Sequence, residues 1–122
     1  PAILWAFILA FLMLLPSDSF PESKLFSYDK IAHIGVFFIL ATLVGWASIA
    51  IQKRVLLTKK ELMIVLTITL LYSSTLEFLQ QLVPGRMTDL YDFIANSVGG
   101  LLGVIVFSIF TRKKFAKLKL ML

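Results

Sequence analysis

Cysteine is absent from the 122 residues, which rules out disulfides, thiolate metal sites and cysteine nucleophiles. Histidine occurs once, at His33, so no imidazole pair is on hand for a metal, and neither a metal nor a cofactor is expected. Charged residues make up only 16% of the chain against 59% hydrophobic. A soluble domain needs more polar surface than that, whereas a bilayer needs none. There is no glycine-rich phosphate loop, no internal repeat and no series of alternating ten-residue barrel segments. The net charge of +5 does not point to nucleic acid, because the basic residues stand in two short blocks beside apolar runs. Such blocks act as topology signals and meet anionic headgroups.

What the chain does have is apolar length. The runs 31–51, 62–83 and 90–111 are each about 30 Å long as helices, matching the hydrocarbon core of a bilayer. The first run, 2–15, is short for a span. It lacks a basic start and an Ala-x-Ala ending, so it reads as a membrane helix and not as a cleaved signal peptide. A few further residues are expected ahead of Pro1. Helices are the open-ended way to satisfy a backbone in lipid. The expectation is therefore one all-α domain over 1–122, a bundle of four transmembrane helices.

Charge sets the orientation. Lys53, Arg54, Lys59 and Lys60 lie between the second and third runs, and Arg112, Lys113, Lys114, Lys117 and Lys119 follow the fourth. Those nine share their side with one acid, Glu61. The opposite side holds Lys24, Lys30 and Arg86 with the other six acids. Loops rich in Lys and Arg stay in the cytoplasm, so both termini are expected inside a bacterial inner membrane, crossed several times. Trp5 and Trp46 are both expected near the cytoplasmic interface, where indoles gather. The connection 16–28 reads as a loop, and Pro84-Gly85 suits a tight turn that makes the third and fourth helices antiparallel neighbours.

Ionisable groups are costly in lipid, so those that persist call for a reason. Thr69, Ser73, Glu77 and Gln81 recur every four residues, with Gln80 beside them, and form one helical stripe. Asp89, Asp92 and Asn96 follow at steps of three and four and run on into Gly99, Gly100 and Gly103. Asp29, Lys30 and His33 open the second helix. Counted from the helix ends, Glu77 and Asn96 both lie about 9 Å in, and His33, Gln80 and Asp92 about 3–5 Å. Part of this has a purely structural reading. The glycines suit close helix approach, Thr69 and Ser73 suit bonds back to their own helix, and Asp89 suits a cap. Glu77 fits that reading least, since a carboxyl at that depth calls for a cation or donor.

The run Asp29-Lys30-Ile31-Ala32-His33, followed by Phe37, resembles the D-K-x-x-H-x-x-x-F segment of the VanZ-like family. Glu77 with Gln80, then Pro84-Gly85-Arg86, then Asp92, Asn96 and Gly99, resembles that family's E-x-x-Q, P-x-R and D-x-x-x-N-x-x-G pattern. Pro16-Ser17 after an apolar first helix, with Pro21 beyond, also fits. The family is named for a member linked to low-level teicoplanin resistance. The resemblance implies that Asp29, Lys30, His33, Glu77, Gln80, Arg86, Asp89, Asp92 and Asn96 gather at the outer face.

The leading expectation is a binding module whose outer-face polar pocket holds a cell-envelope lipid or precursor headgroup. Arg86 and Lys30 would meet phosphate, and Asp29, Gln80, Asp89 and Asn96 would complete the ligand-binding set. The partners are then membrane lipids, with a phosphorylated envelope lipid or a glycopeptide as ligand. The alternative is a membrane-embedded enzyme acting on such a lipid, with His33, Glu77 and Asp92 as catalytic groups. With one histidine, a divalent metal between those three is the weaker variant. A third reading is a scaffold whose polar layer specifies packing. Oligomeric state is left open.

Overall fold

The structure, a computed structural model, describes residues 1–14, 25–83 and 90–122, with backbone alone for 25–29. The described residues form four helices: α1 (Ala2–Met13), α2 (Leu25–Gln52), α3 (Lys59–Gln80) and α4 (Leu90–Met121). Within α2, α3 and α4 the segments Lys30–Gln52, Lys59–Gln80 and Leu90–Met121 are long and apolar enough to cross a membrane. α1, at 12 residues, is about 18 Å long and falls short of a span. The turn at Pro84-Gly85 lies outside the described residues.

Helix ends depart from the apolar runs for local reasons. α2 begins at Leu25 and α4 runs on to Met121, because hydropathy marks the lipid-facing stretch and places no limit on the helix itself. α3 starts three residues early and also ends three early, at Gln80. Its start is fixed by a capping box: the Thr58 hydroxyl accepts from Glu61 N at 3.2 Å, and Thr58 N donates to the Glu61 carboxylate at 2.6 Å. Arg54 holds the other oxygen of Glu61 at 2.6 Å, so the short α2–α3 connection is tied to the first turn it precedes.

α4 packs most extensively on α2 and next on α3, while α1 lies against α2 and α3 on the far side. Glycine explains the α2–α4 seam. A Cβ on Gly99 would come within 2.2 Å of the Ile34 carbonyl oxygen, and one on Gly103 within 2.7 Å of that of Phe38. The two glycines, one turn apart, thus let the two backbones touch. One apolar cluster, of Leu9, Met13, Phe37, Leu40 and Leu76, joins α1 to α2 and α3. A second, of Ala41, Leu57, Val65, Val104 and Phe107, closes the other end of the bundle. Side chains such as Phe7, Leu71, Phe78 and Ile105 point away from the protein, as a lipid solvent favours.

The two ends can be called acidic and basic after their connections. α1 lies level with the acidic half. Trp5 donates its indole N–H to the Val36 carbonyl at 3.0 Å, Tyr72 donates its hydroxyl to Ala6 O, and Gln80 donates its amide to Met13 O at 2.8 Å. This corrects the expected position of Trp5. Its indole sits part-way down α2, where an N–H away from water needs an acceptor, and only Trp46 stands toward the basic end.

Candidate functional site

Three helices bring polar side chains to one level near the acidic end. Asn96, fully buried on α4, is the centre. Its amide nitrogen donates to Ser73 Oγ at 2.9 Å and to Glu77 Oε1 at 3.1 Å, both on α3. Its carbonyl oxygen lies 2.7 Å from His33 Nδ1 on α2. Because the amide nitrogen faces the carboxylate, the oxygen is left to accept, and Nδ1 of His33 carries the proton. His33 Nε2 then lies 3.8 Å from Asp92 Oδ1, and Asp92 is ion-paired with Lys30. The chain of contacts runs Lys30, Asp92, His33, Asn96, then Ser73 and Glu77.

The network is graded in depth. Its rim is partly open: the side chains of Lys30 and Asp92 are 19% and 13% exposed. His33, Glu77 and Asn96 beneath are buried. Glu77 therefore has the donor that its depth requires. Because α3 ends at Gln80, Glu77 stands one turn from the helix end and shallower than the apolar run implied. The bond to Asn96 nevertheless keeps the two level.

Of the residues expected in the site, Lys30, His33, Glu77, Asp92 and Asn96 converge. Gln80 is buried but turns toward α1, where its amide meets Met13 O. Arg86 and Asp89 lie outside the described residues, as does the Asp29 side chain. The α3 stripe of Thr69, Ser73 and Glu77 is buried as expected, but Gln80 continues it, because Gln81 lies past the helix end and is exposed. Thr69 bonds back to Val65 O at 2.9 Å, as its type suggests, whereas Ser73 serves Asn96. Sequence reasoning missed Ser73 as a partner, although its four-residue step before Glu77 placed it on the right face. Among the described residues no three His, Asp or Glu side chains stand close enough to hold a metal ion, so His33, Glu77 and Asp92 do not form that centre.

The family model described as VanZ/LLP1 matches residues 2–111, all four helices except the last part of α4. The chain belongs to the VanZ/LLP1 family. No curated protein and no solved structure matches it. In this VanZ/LLP1 chain the two motifs that carry the resemblance, one on α2 and one spanning α3 and α4, meet through His33 and Asn96. The basic end of α4, from Arg112 to Met121, lies beyond the matched residues.

Proposed function

We propose that this VanZ/LLP1 protein binds the headgroup of a phosphorylated cell-envelope lipid or precursor at the outer face of a bacterial cell membrane. The carrying observation is the network from Lys30 to Glu77, with buried polar groups at its base and a partly open ion pair at its rim. A purely packing layer has no need of a charged rim at one helix mouth. Lys30 offers phosphate a point charge, and Asp92 offers hydroxyl or amide groups an acceptor. The Lys30–Asp92 pair is balanced in charge, so an anionic headgroup calls for one more cation. Arg86, from the matching motif, takes that role, with its planar fork suited to phosphate.

The test uses purified protein in detergent, melted with a polyprenyl phosphate and with the matching polyprenol. Only the phosphate is expected to raise the melting temperature, by mass action on the folded state. Arg86→Ala and Lys30→Gln should each lose that rise. Equal shifts from both lipids, or a rise that survives both substitutions, defeats the proposal.

The outer placement rests on the nine-to-three division of Lys and Arg. The lack of native cysteine makes it simple to check. A single cysteine at Ser19 should react with an impermeant maleimide in intact cells, and one at Leu122 only after lysis. The opposite pattern would turn the network toward the cytoplasm.

One observation favours a second, enzymatic reading. With Nδ1 committed to Asn96, His33 presents Nε2 beside Asp92, the arrangement of a base oriented from behind. Turnover of a polyprenyl phosphate or diphosphate that His33→Gln abolishes would favour catalysis over binding.

A further inference from the structure

Away from the polar network, α2 and α4 leave an open groove of about 310 Å³ on their outward side. Its walls are Phe38, Thr42 and Trp46 on α2, one turn apart, and Val106, Phe107 and Phe110 on α4. The walls are dry. The one hydroxyl, on Thr42, bonds back to Phe38 O and Ile39 O of its own helix at 3.2 and 2.8 Å. Its aromatic rings pack on one another, with Trp46 edge-on to Phe107 and Phe110 at centroid distances of 5.3 and 6.2 Å. Just past the basic end of the groove stands an exposed cation: Lys114, one turn beyond Phe110, holds Nζ 5.9 Å from the centre of the Trp46 ring, at the limit of cation–π attraction. From Arg112 to Leu122 there are five basic residues and no acid.

An apolar channel that opens sideways to lipid, with an ammonium just past one end, has the two parts of a lipid site in order. We propose that this groove binds one anionic phospholipid, with an acyl chain along Phe38, Trp46, Val106 and Phe110 and the phosphate on Lys114. The volume is at the small end for a ligand pocket, room for part of one chain. Charge complementarity selects this occupant over a second copy of the protein, whose own basic end would meet Lys114 with like charge. The site stands apart from the headgroup network proposed above, so either can fail without the other.

Trp46 lines the groove and makes its own reporter. Purified protein is reconstituted in phosphatidylcholine vesicles, and tryptophan quenching is measured with brominated-chain phosphatidylglycerol or brominated-chain phosphatidylcholine at matched mole fractions. Half-maximal quenching should need roughly fivefold less of the brominated phosphatidylglycerol, the worth of one Lys facing anionic lipid. Lys114→Gln should bring the two curves together. Lys113→Gln, a step around the helix, should leave them apart. Trp46→Phe, which leaves only Trp5 on the α1 side, should show no preference. Equal quenching by the two lipids in the wild type overturns the proposal, as does a preference that survives Lys114→Gln. Equal loss in the Lys113 and Lys114 variants would mean a diffuse basic surface, and also overturns it. So does a groove shielded from both lipids together with disulfide cross-linking of Phe110→Cys protein, since a second copy would then fill it.

Discussion

Gly99→Ala should unfold this protein more readily than any other single methyl addition at its described glycines. The new Cβ would lie 2.2 Å from the Ile34 carbonyl oxygen and 2.9 Å from its Cα and carbonyl carbon. All three are backbone atoms of a packed helix, so no side chain can rotate to make room. α2 and α4 would have to separate along their whole seam. Overpacking a core costs about 1–3 kcal/mol, and a clash with backbone belongs at or above the top of that range. Gly103→Ala should follow, with contacts of 2.7 and 2.9 Å to Phe38 O and Ala41 Cβ. Gly35→Ala is the internal control, because nothing lies within 4 Å of its Cβ. It should change stability by less than about 1 kcal/mol, in the stabilising direction if helix propensity decides. Reversible unfolding in mixed micelles would rank the three. A Gly99 variant as stable as the Gly35 variant would mean that the α2–α4 contact is looser than described.

Asn96→Leu should be the most damaging change at a polar position, because one side chain serves three others. Leucine keeps the number and branching of side-chain heavy atoms, but its two methyls are bulkier than the amide, so overpacking adds to the lost hydrogen bonding. Three bonds, to His33, Ser73 and Glu77, disappear together. Within membranes such bonds average about 0.6 kcal/mol each, which alone gives about 2 kcal/mol. Leaving a buried carboxylate and an imidazole N–H without that partner adds a further 1–3 kcal/mol or so. Ser73→Ala removes one acceptor while Asn96 keeps Glu77 and His33, and should cost about 0.6 kcal/mol. The same unfolding measurement would separate them. Similar losses from both would show that Asn96 acts through shape, with little coupling among the three helices.

The polar network was largely legible in the sequence because lipid makes ionisable groups conspicuous. Glu77, Asn96 and His33 stand out against apolar neighbours, and steps of three and four assign each to a helix face. Boundaries were less legible. Leu82 and Val83 carry the apolar run beyond the end of α3 at Gln80, and the run also begins three residues late, because the start is set by the Thr58 and Glu61 capping box and not by hydropathy. Hydropathy likewise stopped at Thr111, whereas α4 stays helical through Lys113, Lys117 and Lys119, because charge ends a lipid-facing stretch without breaking a helix. The seat of α1 was hidden for a different reason. Trp5, Tyr72 and Gln80 reveal that donors exist, but their acceptors are main-chain carbonyls, which no residue type marks. Ser73 fell between, on the right face but with two acceptable uses.

Two of those three donors, Tyr72 and Gln80, reach from α3 to carbonyls on α1. Every amino acid carries a carbonyl, so Ala6 and Met13 can change type without losing either bond. Two of the three polar instructions that dock α1 are thus written on α3, while α1 itself supplies Trp5 and the buried Leu9 and Met13. An apolar helix of the same length that keeps only Trp5, Leu9 and Met13 should settle into the same berth, while Tyr72→Phe and Gln80→Leu together should loosen even the native α1.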